Sequence, residues 1–375
     1  MDRSRPSSAR SSQIDLLRAL AIVAVVLIHV WGPSSEVTPE RGPLHAAFFA
    51  FFVSGSGWAV PCFFFLSGLL LTQRADFSGW PDRLGWLRRR AARLLPPYLF
   101  WSALYLAVAR QTDVVAILRR LAFGTASYQM YFVVALVQAY VLWWLVMPWL
   151  RRQTPRVQNV VLLGAVALSV LAHAWRAAYL DAVQADHFEW LRSTVFPWIG
   201  YFAFGCLVAL RLGADGPQEA LHRLLAPRPG ARRAPVPIFA LMAFVVLVLT
   251  VTYKVTYRGP HDDDPLNTLL KPAYAFPMLL VLVALAEWLD RKVGQQARRL
   301  TIALAGDSYG IYLSHVLVMQ LLSSYVFIQL AGLSLPLEIA YRALALLLVF
   351  AMSWGMVRLL GLVPGVRWLS GTDVR

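Results

Sequence analysis

The stretch QIDLLRALAIVAVVLIH, residues 13–29, decides the fold class of this chain. Apart from three ionisable side chains, Asp15, Arg18 and His29, it is almost wholly apolar. With its neighbours it approaches the ~20 apolar residues that a helix needs to cross a bilayer. A cleaved leader is the weaker interpretation, because a discarded segment has no reason to carry such side chains. We therefore expect a first transmembrane helix here.

Most of the chain repeats this apolar character. Hydrophobic residues make up 58% of the 375 residues and charged residues only 15%, which leaves too little polar surface for a soluble protein of this size. The sequence therefore predicts an all-α, polytopic membrane bundle of about ten transmembrane helices. The apolar stretches are residues 14–31, 44–73, 94–109, 131–150, 157–175, 195–210, 237–253, 272–288, 302–327 and 337–360.

The distribution of positive charge predicts the orientation. Of the 35 basic residues, 25 fall on the side of the N-terminus and 10 on the other, while the acidic residues divide evenly. The positive-inside rule then places both termini in the cytoplasm, and the net charge of +15 needs no nucleic-acid partner. We expect a disordered cytoplasmic tail over residues 1–13, one membrane domain over 14–362 and a second cytoplasmic tail over 363–375.

Glycine and proline interrupt two of the apolar stretches. Gly55, Gly57 and Pro61 predict that the second span bends or breaks, and Pro96 with Pro97 predicts the same where the third begins. Irregular backbone inside a membrane is tolerated only where protein or a water-filled cavity supplies hydrogen bonds. These positions therefore point to an interior cavity.

The two cysteines, Cys62 and Cys206, both fall inside apolar stretches. They form no metal-ligand spacing, so we expect them to be small buried hydrophobes. No metal site is predicted.

The first span aligns an arginine with a histidine. Eleven residues separate Arg18 from His29, a turn of roughly 1,100° and a rise of about 16 Å, so both lie on one helical face. Arg18 then sits near the cytoplasmic edge and His29 deep in the outer half. Asp15, three residues before Arg18, can pair with it. The alternative is a snorkelling pair at the membrane edge and an ordinary interfacial histidine.

A second histidine is expected at the same depth. His315 lies about fourteen residues into the ninth span, so it should meet His29 in a shared site. An imidazole titrates near neutral pH and can take a proton from an attacking hydroxyl. We predict His29 as the general base and His315 as the residue that orients it or the acceptor. His315 as a packed structural histidine is the alternative.

A dense basic cluster precedes the third span. Arg90 and Arg93, at positions i and i+3, share a helical face and suit the phosphates of a nucleotide-like donor. Ordinary positive-inside topology is the alternative, and it is enough to explain Arg88 and Arg89.

Five segments in chain order resemble the signatures of the acyltransferase family 3 membrane proteins. The first is the run from Gln13 to Ala21 followed by His29, which resembles a first span with an arginine, ten residues and a histidine. One departure is Gln129, which stands where many members have histidine, and we assign it no catalytic role. The other segments are Phe65-Leu66-Ser67-Gly68, Arg90-Ala91-Ala92-Arg93 followed by Leu95-Pro96-Pro97-Tyr98, residues 131–140 and residues 308–315.

The resemblance implies an O-acyltransferase of the cell (plasma or inner) membrane. It implies transfer of an acetyl or succinyl group from cytoplasmic acyl-CoA, a co-substrate rather than a tightly bound cofactor, to a hydroxyl of an extracytoplasmic glycan or lipid-linked saccharide. Tyr131 and Gln138 are candidates to line the acceptor path, with packing as the alternative for each. Whether transfer is direct or passes through an acylated histidine does not follow from the sequence.

A polysaccharide transporter or flippase is the alternative function. The helical face that carries Arg18 and His29 would then line a passage, and the arginines would bind an anionic substrate. No inverted repeat joins the two halves of the chain, and no paired acidic residues suggest a proton relay, so we favour the enzyme.

Overall fold

The computed structural model describes residues 12–32, 42–74, 80–180, 192–226, 235–256, 265–326, 333–364 and 366–371. Within these ranges the chain forms helices and no strand. The helices are α1 (Ser12–Trp31), α2 (Gly42–Gly55), α3 (Ala59–Arg74), α4 (Trp80–Val108), α5 (Val114–Phe123), α6 (Tyr131–Leu150), α7 (Pro155–Leu180), α8 (Ile199–Leu212), α9 (Pro217–Leu225), α10 (Val236–Thr256), α11 (Pro265–Lys292), α12 (Gln295–Val326) and α13 (Leu335–Leu362), followed by a 3₁₀ turn (Arg367–Ser370).

The predicted all-α membrane bundle is confirmed. By length and composition, eight spans of the described chain are able to cross a membrane, with α2 and α3 forming one of them. Helices α8 and α9 make a ninth if the pair, bent by 93°, counts as one span. Helix α4 holds the remaining apolar stretch, but its N-terminal half carries the arginine cluster. The count is therefore eight or nine candidates against the ten stretches marked in the sequence.

Helix α1 lies at the centre of the bundle, packed on α12, α3, α11 and α13. Its side chains are buried around most of its circumference, and Ala21, Ile22 and Val26 have no exposed surface. A helix enclosed in this way has to be apolar on every side. The few polar residues of α1 are therefore held inside protein.

The second span is broken, as predicted. Helix α2 ends at Gly55, a short turn follows, and α3 begins at Ala59. The hydroxyl of Tyr274, from α11, donates to the Gly55 carbonyl at 2.5 Å. The broken backbone is thus satisfied by a neighbouring helix, as the membrane interior requires.

The break expected at Pro96 and Pro97 is not observed, because α4 continues through both residues. Each proline removes one amide donor from the helix. The carbonyls left without that donor are those of Ala92 and Arg93, four residues before each proline. The Tyr309 hydroxyl donates to the next carbonyl, that of Leu94, at 2.8 Å and ties this part of α4 to α12.

Helices α3 and α8 approach each other at paired glycines. A Cβ at Gly68 would meet the Phe202 carbonyl oxygen, and one at Gly205 would meet the carbonyl oxygen of Phe65. Small residues at a helix contact allow this close approach. The glycine of the Phe65–Gly68 segment therefore has a packing role. Cys62 and Cys206, in these same two helices, are buried and unbonded to each other, as predicted.

Candidate active site

Two histidines meet where the C-terminal end of α1 packs against the interior of α12. His29 Nδ1 lies 2.8 Å from His315 Nε2, and the two ring planes are inclined by 21°. His315 is fully buried, whereas His29 is partly exposed. The shared position predicted from their depths is therefore observed, and His29 is the member that a substrate can reach.

The partners of His315 fix the protons of both rings. His315 Nδ1 lies 2.8 Å from the Tyr312 carbonyl and 3.2 Å from the Ile311 carbonyl. Carbonyl oxygens only accept, so Nδ1 carries the hydrogen, and in the neutral ring Nε2 accepts. The hydrogen of the bond between the rings then belongs to His29 Nδ1. His29 Nε2 is left with its lone pair, which is the arrangement of a general base.

A buried ion network holds the outer end of α1. Arg342 donates through Nη1 to the Val30 carbonyl at 2.5 Å, one of the last four carbonyls of the helix, which have no partner within it. The Trp31 indole donates back to the Arg342 carbonyl at 3.3 Å. Glu338 accepts from Arg342 at 2.8 Å and contacts the His45 imidazole at 2.6 Å. These bonds fix the turn that presents His29.

A tyrosine of α4 holds the α12 turn that carries His315. The Tyr105 hydroxyl donates to the Leu313 carbonyl and accepts from the Leu317 amide, both at 2.9 Å. In a regular helix these two backbone groups bond to each other. The hydroxyl therefore bridges the two ends of the turn around His315. The Tyr312 hydroxyl donates to a backbone carbonyl of the segment before α6.

Aromatic and basic side chains surround the exposed side of His29. The Tyr128 ring meets it edge-on, with centroids 5.0 Å apart. The Arg192 guanidinium lies 5.6 Å from the Tyr131 ring centroid and close enough to His29 for its charge to act there. Tyr131 also stacks on Trp198 at 5.6 Å. Tyr131, predicted to line the acceptor path, thus belongs to the rim of the site.

The side-chain amide of Gln138 bonds to the backbone. Its Nε2 donates to the Ser193 carbonyl at 2.9 Å, and its Oε1 accepts from the Val195 amide at 3.0 Å. It therefore positions the segment beside Arg192. Direct contact of Gln138 with substrate remains a prediction.

The buried Gln129 lies close to His315 without touching it. Its Oε1 accepts from Ser127 at 2.5 Å, and its main-chain carbonyl accepts from Tyr312. Within the described residues its Nε2 has no hydrogen-bond partner. Gln129 thus contributes to the layer behind the histidine pair.

The predicted donor residues lie at the other end of the bundle. Arg90 is half-buried, with its guanidinium 5.6 Å from the Trp86 ring centroid, and Arg93 is exposed. On α1, Asp15 is buried, and Arg18 is half-buried with its charge close to Cys62. The structure therefore leaves Arg93 accessible and Arg90 and Arg18 half-buried, and it encloses Asp15 in the bundle.

Apolar packing fills the α1 face between Arg18 and His29. Ile22 and Val25 lie on that face by helical geometry, and their exposed fractions are 0% and 2%. Arg18 and His29 are therefore aligned on one face of α1, as predicted, but buried apolar side chains fill the space between them.

A second set of polar side chains lies along α12 and covers about 9 Å of that helix. Tyr309, Tyr312 and His315 follow one another at steps of three residues, which places them close together along the helix. The Tyr309 hydroxyl bonds the Leu94 carbonyl, one residue from Arg93. This tyrosine line starts beside the donor arginines and ends at the histidine pair.

Sequence reasoning missed four residues of this site. Glu338 and Arg342 stand four residues apart in the last apolar stretch, and a charged pair inside a span is a usable signal. Arg192 precedes an apolar stretch, and that position is only a weak signal. Tyr105 is one of many aromatic residues in a membrane helix, and nothing in the sequence distinguishes it.

The bundle of apolar helices defines a multi-pass membrane protein, and the histidine pair is its candidate acid–base site. Residues 11–358 match a family model described as an acyltransferase domain, which covers nearly the whole chain. The chain therefore belongs to this family and is a membrane acyltransferase, which favours the enzyme over the transporter. No curated protein and no solved structure matches the chain.

Proposed function

We propose that this enzyme transfers an acyl group of the acetyl or succinyl type from cytoplasmic acyl-CoA to a saccharide. The acceptor is a hydroxyl of an extracytoplasmic or lipid-linked saccharide at the cell membrane. The observation that supports the chemistry is the histidine pair, in which His315 directs the hydrogen of His29 to Nδ1 and leaves Nε2 as the base.

In the proposed step, His29 Nε2 takes the proton of the acceptor hydroxyl as its oxygen attacks the thioester carbonyl. The carbon–sulfur bond then breaks, and the imidazolium returns the proton to the sulfur, so that coenzyme A leaves as its thiol. His315 accepts from His29 Nδ1 throughout and stabilises the charged ring. An oriented imidazole of this kind contributes a rate factor of about 10²–10⁴.

The donor residues support this direction of transfer. Arg90 and Arg93 present guanidinium groups on the side that the charge distribution assigns to the cytoplasm, and these groups match phosphate oxygens in geometry and charge. Asp15 and Arg18 extend the polar surface inward along α1. At the opposite end, Tyr131 offers a ring on which a sugar can pack.

The test combines thioester consumption with glycan analysis. The purified chain should release free thiol from acetyl- or succinyl-CoA in the presence of acceptor, and cells with the gene should carry a surface-glycan ester that cells without it lack in mass spectra. His29→Ala should lower kcat about 10²–10⁴-fold. The matched control is His222→Ala, an exposed histidine of α9 that contacts Glu287 at 3.1 Å.

Two results would contradict the proposal. A wild-type rate in His29→Ala, with normal protein level and membrane insertion, would remove His29 as the base. Complete indifference of the wild-type protein to both thioesters would refute coenzyme A as the donor carrier.

A further inference from the structure

One tyrosine hydroxyl beside the histidine pair takes no part in the hydrogen bonds of the fold. The Tyr128 ring meets the His29 ring edge-on, with centroids 5.0 Å apart, and among the described tyrosines it is the one whose ring contacts His29. Tyr128 is 45% exposed, and its hydroxyl has no hydrogen-bond partner within the described residues. This O–H is therefore available to a molecule that reaches His29.

The tyrosines of the surrounding helices use their hydroxyls differently. Each of four donates to a backbone carbonyl, namely Tyr98, Tyr105, Tyr309 and Tyr312. Such bonds join α4, α5, α12 and the segment before α6, so these hydroxyls serve the packing of the bundle. Tyr128 makes no bond of this kind, although it lies in the same segment before α6.

The turn that carries Tyr128 is held on both sides. Before it, Gly124 ends α5 in the left-handed region, with φ 66°. After it, the Gln129 main-chain carbonyl accepts from the Tyr312 hydroxyl, and Met130 has no exposed surface. The backbone on either side of Tyr128 is thus fixed before a substrate binds, as a preorganised catalytic group requires.

The proposed acyl transfer needs a hydrogen-bond donor in this region. When the acceptor oxygen adds to the thioester carbonyl, the carbonyl oxygen becomes an oxyanion, which enzymes stabilise with preorganised donors. His29 does not supply that donor, because its Nδ1 hydrogen goes to His315 and its Nε2 takes the acceptor proton. A phenol, with an ordinary pKa of about 10, keeps its proton at neutral pH and can donate.

Positive charge near the pair is consistent with an oxyanion. The Arg192 guanidinium lies 5.6 Å from the Tyr131 ring centroid, and its charge acts on His29. A field of this sign favours negative charge that develops on an oxygen beside His29. The arginine supports the role of a donor in the site, and the contact between Tyr128 and His29 identifies that donor.

We propose that the Tyr128 hydroxyl donates a hydrogen bond to the thioester carbonyl oxygen and stabilises the oxyanion of acyl transfer. This proposal rests on the proposed function and makes Tyr128 a second catalytic residue beside His29. The phenol keeps its proton throughout. The oxyanion forms as the acceptor oxygen bonds to carbon, and it becomes a carbonyl again when the carbon–sulfur bond breaks and coenzyme A leaves as its thiol.

Tyr128→Phe tests the role, because it keeps the ring against His29 and removes only the O–H. We expect kcat to fall about 10²–10³-fold, the usual cost of one oxyanion donor, with KM unchanged for thioester and acceptor. Steady-state kinetics of the purified full-length protein, with free-thiol detection, measures both constants. The matched control is Tyr341→Phe, in a half-buried tyrosine of α13 whose hydroxyl also has no hydrogen-bond partner among the described residues. This control should behave as wild type.

A dithioester of acetyl-CoA distinguishes oxyanion stabilisation from other roles of the hydroxyl. Sulfur replaces the carbonyl oxygen in this substrate and accepts hydrogen bonds weakly. The wild-type protein should therefore prefer the ordinary thioester, and Tyr128→Phe should lose at least about tenfold of that preference. An equal preference in both proteins would overturn the oxyanion role even if kcat had fallen.

The remaining outcomes separate this proposal from the proposed function. A wild-type kcat in Tyr128→Phe, with His29→Ala inactive, would overturn the role of Tyr128 and leave the proposed function standing. A raised KM for the acceptor with an unchanged kcat would also overturn it and make Tyr128 an acceptor-binding residue. A wild-type protein that consumes neither acetyl- nor succinyl-CoA refutes the proposed donor, and the role of Tyr128 in a thioester reaction fails with it.

Discussion

The two ends of helix α1 are built on different principles. At the outer end, Arg342 and Glu338 are each 1% exposed and are bonded to their neighbours, so the turn carrying His29 is fixed before any substrate arrives. At the inner end, Arg93 is exposed and Arg90 half-buried. The group that we propose to react is thus preorganised, whereas the arginines that we propose to bind the donor keep exposed surface for a ligand to order.

The space between the two ends also differs between α1 and α12. Along α1, Ile22 and Val25 close the space between Arg18 and His29. Along α12, tyrosines lead from the neighbourhood of Arg93 to the histidine pair. Along this second line lie the hydroxyls of Tyr309 and Tyr312, each of which donates to a backbone carbonyl.

The largest effect is expected from a substitution that disrupts the ion network at the outer end of α1. Arg342→Met should lower the free energy of unfolding by about 3–5 kcal/mol, because it removes the guanidinium that pairs with the buried Glu338 and bonds the Val30 carbonyl. Thermal unfolding of the purified protein in detergent measures this. Adding Glu338→Leu should restore part of the loss, since the uncompensated charge is then gone. An unchanged unfolding temperature in Arg342→Met would show that the outer end is not held by this network.

A smaller effect is expected from a substitution in the arginine cluster at the inner end of the bundle. Arg90→Ala should raise the KM for acyl-CoA about tenfold with little change in kcat, because a charge-assisted bond to phosphate is lost while the histidine pair is untouched. Steady-state kinetics with free-thiol detection measures both constants. Arg88→Ala, on the same helix and exposed, should behave as wild type. Equal effects of the two substitutions would reduce the cluster to general positive charge.

The sequence predicted the parts of this comparison that depend on helical geometry. Arg18 and His29 share a face because eleven residues make slightly more than three full turns, and His315 meets His29 because hydropathy set both depths. The break near Gly55 was also predictable from composition. The break expected at Pro96 and Pro97 was wrong, because α4 continues through both residues in the packed bundle, and local sequence does not encode that packing.

The tertiary partners were beyond sequence reasoning for a physical reason. Arg342 reaches Val30 across more than three hundred residues of chain, and such a contact depends on how helices pack rather than on local pattern. Gln138 illustrates the same limit, since an amide suited to a sugar turned out to bond the Ser193 and Val195 backbone.

The smallest expected effect concerns the residue that the sequence did not single out. Tyr105→Phe keeps the ring but removes the hydroxyl between the Leu313 carbonyl and the Leu317 amide. These backbone groups can then bond each other, so the fold should persist while the turn around His315 relaxes. We expect kcat to fall about threefold to tenfold, in proportion to one hydrogen bond, with KM unchanged.

The matched control for Tyr105→Phe is Tyr98→Phe. Tyr98 stands on the same helix, and its hydroxyl donates to the Leu121 carbonyl of α5 at 2.5 Å, away from the histidines. If positioning of His315 is the cause, only Tyr105→Phe lowers kcat, although both variants remove a tyrosine hydroxyl that is bonded to backbone. Equal losses of kcat in both would mean that any weakening of α4 slows the enzyme. The preorganised outer end would then depend on the network at Arg342 alone, without the bridge to α12.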